Sequence, residues 1–154
     1  MDDADAIAAS EYRAAASPAE ASRVREQRAT PTLAAFLSDA DGTAVRLDPA
    51  DDARALVPHL ARLTLVEVSF PSFRDGRGYS AARILRQAGY TGELRAAGDV
   101  LVDQVAFLRR CGFSSFAPDV PIDAAALDRA LRRYDAVYQP AADAAVPVWR
   151  RRQG

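Results

Sequence analysis

The sequence predicts an α/β domain of successive βα units with parallel strands, either half-barrel-like or a small doubly wound sheet. Three observations carry this. Between Leu63 and Tyr134 short β-rich apolar runs alternate with stretches of helical period. Each run gives way to a loop bearing glycine or aspartate before the next helix starts. One joint is also written twice: Ile84-Leu85-Arg86-Gln87-Ala88-Gly89-Tyr90 aligns with Phe107-Leu108-Arg109-Arg110-Cys111-Gly112-Phe113, in each case a helix end, a glycine stop and an aromatic.

The elements follow in order. Residues 1–30 are rich in alanine, arginine and acid with few large apolar side chains, which predicts a loose segment, although Ser17-Pro18-Ala19-Glu20 spells a helix start. A single domain is expected over 31–138. Its first part, the apolar runs Leu33 to Leu37 and Thr43 to Leu47 around Ser38-Asp39-Ala40-Asp41-Gly42, predicts a short hairpin. Asp48-Pro49-Ala50-Asp51 opens a helix with Ala53, Leu56, Leu60 and Leu63 on one face and His59 beside them. Leu65 to Phe70 is a strand ended by Pro71, and a glycine-bearing loop leads to a helix from Tyr79 to Ala88. Glu93 to Ala97 is the next strand, with Gly98-Asp99 as turn and cap of a helix to Cys111 that lines up Leu101, Val105 and Leu108. Ser115 to Ala117 begins the third unit, whose helix after Asp123 would bury Leu127, Ala130, Leu131 and Tyr134. Residues 139–154, rich in alanine, proline and arginine, are expected to be a flexible tail.

Composition removes many function classes. The 20 basic and 21 acidic residues nearly cancel, so no net field draws the chain to nucleic acid or an anionic membrane, and neither partner is expected. All the basic residues are arginine, which leaves no lysine for a Schiff base. His59 is the single histidine and Cys111 the single cysteine, so a histidine pair, a cysteine cluster or an internal disulfide is excluded and no metal is expected. Cys111 lies at the far end of its helix, roughly 18 Å from the loops at about 1.5 Å per residue, and reads as a small packed side chain. With no apolar run long enough to span a bilayer and an acidic start, a cytoplasmic address is expected.

Parallel βα units put their β-to-α loops on one rim. There the sequence offers Arg74, Asp75, Gly76, Arg77, Gly78, Tyr79 and Ser80 from one loop, and Arg95, Gly98, Asp99, Asp103 and Gln104 from the next. Three guanidiniums beside two helix N-termini predict a seat for a small oxyanion, with Asp75, Asp99 or Asp103 as candidate general bases. The competing reading is that the aspartates cap helices and pair with the arginines. Gly76-Arg77-Gly78-Tyr79-Ser80-Ala81 also fits the loose dinucleotide pattern, with Asp99 about 20 residues on, which would admit NADPH. Pro71 to Asp75 separate its first glycine from the strand end, so no cofactor is expected.

Phe70-Pro71-Ser72-Phe73-Arg74-Asp75-Gly76-Arg77-Gly78-Tyr79-Ser80, Gly89 to Leu101, Asp103-Gln104 and Arg109-Arg110-Cys111-Gly112-Phe113 together resemble the bacterial DUF934 family over about Leu56 to Tyr138. That family is commonly labelled an oxidoreductase of sulfite reduction. The resemblance implies a place in assimilatory sulfur metabolism beside sulfite reductase or the reductase for activated sulfate. Six-electron sulfite reduction requires a redox cofactor that one cysteine cannot anchor. The expectation is an accessory protein that binds a small oxyanion or a partner reductase at the rim. The alternatives are an enzyme acting on a nucleotide or sulfur oxyanion, and a structural module that covers its exposed edges as a homo-oligomer.

Overall fold

A computed structural model describes residues 30–134, 136–143 and 145–151. The helix start at Ser17 lies outside the described residues. Four parallel strands, β1 (Ala44–Leu47), β2 (Leu65–Phe70), β3 (Glu93–Gly98) and β4 (Ser115–Pro118), form one open sheet in the order β1-β2-β3-β4. Among the described residues the helices are α1 (Leu33–Ser38), α2 (Arg77–Gln87), α3 (Val105–Arg110), α4 (Ala124–Leu131) and α5 (Val148–Arg151), with 3-10 segments at Ala53–Arg62 and Val102–Gln104.

An order that never reverses keeps the crossovers on one side of the sheet. The core records this. Val45, Leu47, Val66, Val68, Phe70, Leu94 and Ala96 from the strands join Phe36, Leu56, Ala82, Leu85 and Leu108 from the helical elements in one buried cluster. The alternate strand residues, Arg46, Glu67, Ser69, Glu93, Arg95 and Ser115 among them, stay partly exposed on the other face. The arrangement is an open parallel sheet of βα units, and it lacks the reversal of strand order at which doubly wound sheets open a ligand crevice.

The predicted hairpin is corrected to helix and strand. Leu33 and Phe36 stand three residues apart and both pack on the core, and the Thr32 hydroxyl caps α1 by accepting from the Ala35 N–H at 3.3 Å. Asp52, rather than Asp48, caps the following 3-10 segment, and Pro58 withholds an N–H from its middle. The doubled joint forms twice as read. Gly89 (φ 92°) and Gly112 (φ 105°) take the left-handed conformation, and the Tyr90 and Phe113 N–H groups reach back to Leu85 O (3.0 Å) and Leu108 O (3.2 Å).

Two predicted inward residues point out: Leu101 is 41% and Tyr134 68% exposed. Leu101 precedes the 3-10 turn and Tyr134 follows the end of α4, so neither continues its helix's apolar stripe. The described part of the segment after Gln139 is docked at the base of the sheet. The Ala142 N–H donates to Arg110 O (3.0 Å), Asp143 pairs with Arg110 at 3.1 Å, and Pro147 is buried. The domain border expected at 138 therefore runs through a set of contacts. Among the described residues no helix is long and apolar enough to cross a membrane.

Candidate functional site

Parallel strands bring the loops 48–52, 71–76, 99–101 and 119–123 to one rim. The ends of the strands are laced together there. The Asp99 N–H donates to Phe70 O and the Asp119 N–H to Gly98 O, both at 2.7 Å. Gly98 allows this because its backbone is at φ 111° and a Cβ would lie 2.3 Å from Phe70 O. Its part in the rim is thus close backbone approach rather than a ligand contact.

Asp99 and Gln104 converge on a single residue of the neighbouring loop. The Asp99 carboxylate accepts from the Phe73 N–H at 2.9 Å, and the Gln104 amide donates to Phe73 O at 2.8 Å. The other end of that amide, Oε1, accepts from the Leu101 N–H at 3.2 Å. Asp99 was expected to cap a helix running to Cys111. Instead it clamps the loop, and the helical stretch begins later, as a 3-10 turn at Val102. Removing this clamp is expected to loosen the loop without touching the core. Asp99→Ala should raise amide exchange at Phe73 by about fivefold, for roughly 1 kcal/mol of lost hydrogen bonding, while protection in β2 and β3 is unchanged. Unaltered exchange at Phe73 would show that the loop holds itself.

The three arginines do not meet. Arg77 is locked in a fork with Asp75, Nε to Oδ1 at 2.9 Å and Nη2 to Oδ2 at 2.6 Å. Hydrogen bonds from the Arg77 side chain, then from its N–H, hold the Asp75 carboxyl down at about 2. A carboxylate that acidic is a feeble general base near neutral pH. Arg95 sits in mid-strand on the open face, bonded to Glu93 at 2.7 Å and 3.6 Å from Glu67, so it is corrected away from the rim. Asp103 is exposed and paired with Arg133 at 3.5 Å. Arg74 stacks over its neighbour Phe73, and no described carboxylate lies within 4 Å of it.

The glycine pattern has a packing cause. A Cβ on Gly78 would lie 2.5 Å from the Phe70 ring, so that glycine seats α2 on β2, while Gly76 is unconstrained at φ −81°. Tyr79 packs its ring against Phe70 and Phe107, at centroid distances of 5.5 and 5.2 Å, and burial raises its hydroxyl pKa. Cys111 packs against the main core, and burial pushes its thiol up as well. Ser80 is exposed and, with Arg77, lines a cleft of about 310 Å³ whose other wall is Pro49 to Arg54. Sequence reasoning missed that wall and the outward Phe73. An aromatic standing between Ser72 and Arg74 in a polar loop was the available signal. Among the described residues no group of three or more His, Cys, Asp or Glu could hold a metal ion.

Fold and rim define a one-sided parallel βα domain whose loop 71–76 is pinned and presents Phe73 and Arg74 to solvent. The particular family is shown by its model. Residues 44–149 match the family described as bacterial protein of unknown function (DUF934), and the chain belongs to it. No curated protein and no solved structure matches the chain.

Proposed function

We propose that this chain is an accessory protein of assimilatory sulfate and sulfite reduction that docks on a partner reductase through the loop 71–76. The observation that supports this most is the clamp on Phe73. Two polar groups at the rim, Asp99 and Gln104, are spent on holding a loop, and what they hold out is an aromatic and a guanidinium that pairs with no carboxylate among the described residues. Such a pair suits a protein surface carrying acidic groups around an apolar pocket. The link to sulfur metabolism rests on the motifs quoted from Phe70 to Phe113.

The test is calorimetric titration of the chain against sulfite reductase and against the reductase for activated sulfate. Binding to one of them is expected, weakened about tenfold or more by Arg74→Glu and unchanged by Asp103→Asn. Absence of binding to both sinks the reading. The cleft beside Arg77 and Ser80 supports a second reading, a seat for a small oxyanion. Titration with sulfite, sulfate, phosphate and adenosine phosphosulfate decides it: heat that disappears in Arg77→Ala favours the anion site.

A further inference from the structure

Parallel sheets are ordinarily covered on both faces. Among the described residues the helical elements pack on one, and the register of the strands arranges the other into rows. Arg46, Glu67, Arg95 and Ser115 are successive neighbours from β1 to β4. The next row toward the rim contains Ser69, Ala97 and Ala117, all small. The charged row is half-sunk: the Glu67 and Arg95 side chains are 16% and 21% exposed and stand 3.6 Å apart. Glu93, one turn of the pleat away, binds Arg95 at 2.7 Å and Ser115 at 2.6 Å.

We infer that this face is the contact between two copies of the chain, packed sheet to sheet about a twofold axis that runs along the strands between β2 and β3. About that axis β2 lies over β3 of the second copy and β1 over its β4. Glu67 then meets Arg95 of the second copy, Arg95 meets its Glu67, and Arg46 meets its Ser115. The small residues in the adjoining row let the sheets approach to the usual spacing of about 10 Å. An axis over β2 sets Glu67 against Glu67, and an axis across the strands along this row sets each of its residues against itself. An axis between β1 and β2 also sets Arg46 against Glu67, but it leaves β3 and β4 of each copy uncovered, whereas the axis between β2 and β3 lays all four strands over one another. Arg46 and Arg95 stand against Asp48, Glu67 and Glu93, so the charges of the face nearly cancel and a partner of one sign gains little from it. A second copy matches its alternation.

Sedimentation of the full chain at about 1 to 100 µM, a range that brackets ordinary dimer affinities, reads the result directly. Twice the chain mass of 16.6 kDa is expected for the unaltered protein. Glu67→Arg alone and Arg95→Glu alone should each sediment as monomers. An equimolar mixture of the two should recover the dimer, because the introduced guanidinium of one then faces the introduced carboxylate of the other. The pair lost within each chain is not repaired by mixing, so recovery is specific to a contact between chains. Monomeric unaltered protein across the range overturns the inference, as do variants that stay dimeric or fold by circular dichroism yet fail to associate when mixed. If either reversal does not fold, Glu67→Gln and Arg95→Gln take its place, each with an expected dimer Kd weaker by about tenfold; unchanged Kd values overturn it equally.

Discussion

Gly98→Ala should destabilise the domain by about 3 to 5 kcal/mol, seen as a lower urea midpoint at unchanged slope. Two causes add at this residue. Its φ of 111° is strained for any residue with a Cβ, and that Cβ would lie 2.3 Å from Phe70 O, a backbone atom bonded to the Asp99 N–H. Easing the overlap means parting β2 from β3 where the rim is laced. Gly89→Ala separates the causes, because Gly89 has φ 92° but nothing within 4 Å of its Cβ position. Its cost should be about 1 to 2 kcal/mol. Equal losses at the two sites would mean that the Phe70 carbonyl gives way and only the dihedral matters.

Arg86→Ala is the second large expected effect, about 3 kcal/mol. The guanidinium donates to three carbonyls at the base of the sheet: Gly112 O from Nε (2.9 Å) and Nη2 (2.8 Å), Tyr90 O (2.7 Å) and Gly92 O (3.0 Å). It joins the end of α2, the loop into β3 and the loop into β4. Burial lowers its pKa from the ordinary arginine range, and among the described residues its bonds run to neutral carbonyls and not to a carboxylate. Truncation leaves those partly buried acceptors without their donor. Arg86→Lys keeps the charge and loses the planar fork, and should recover less than half of the loss. Full recovery by lysine would show that charge, not the fork, does the holding.

The joints were legible in the sequence because everything they need is local: a helix end, a glycine and an aromatic within seven residues. The parallel sheet was legible for a similar reason, since each strand pairs with the next in the chain. Arg95 could have been placed from period alone. Glu93 and Arg95 alternate with Leu94 and Ala96, so it belongs to a sheet face and not to a loop. The Phe73 clamp was not legible, because its bonds span 26 and 31 residues and Asp99 carries an equally good local signal as a cap. At Leu33 to Leu37 five residues are too few to separate a helical period from an alternating one. The capping hydroxyl of Thr32 decided it.

Strand order has a consequence for how the chain is made. Because β1, β2, β3 and β4 are neighbours in the same order as in the sequence, each strand after β1 finds a partner already synthesised. Each βα unit leaving the ribosome finds its docking edge already formed, and the sheet grows in the direction of translation. The segment that closes on Arg110 emerges after the fourth strand, so the base is latched only once that strand is in place.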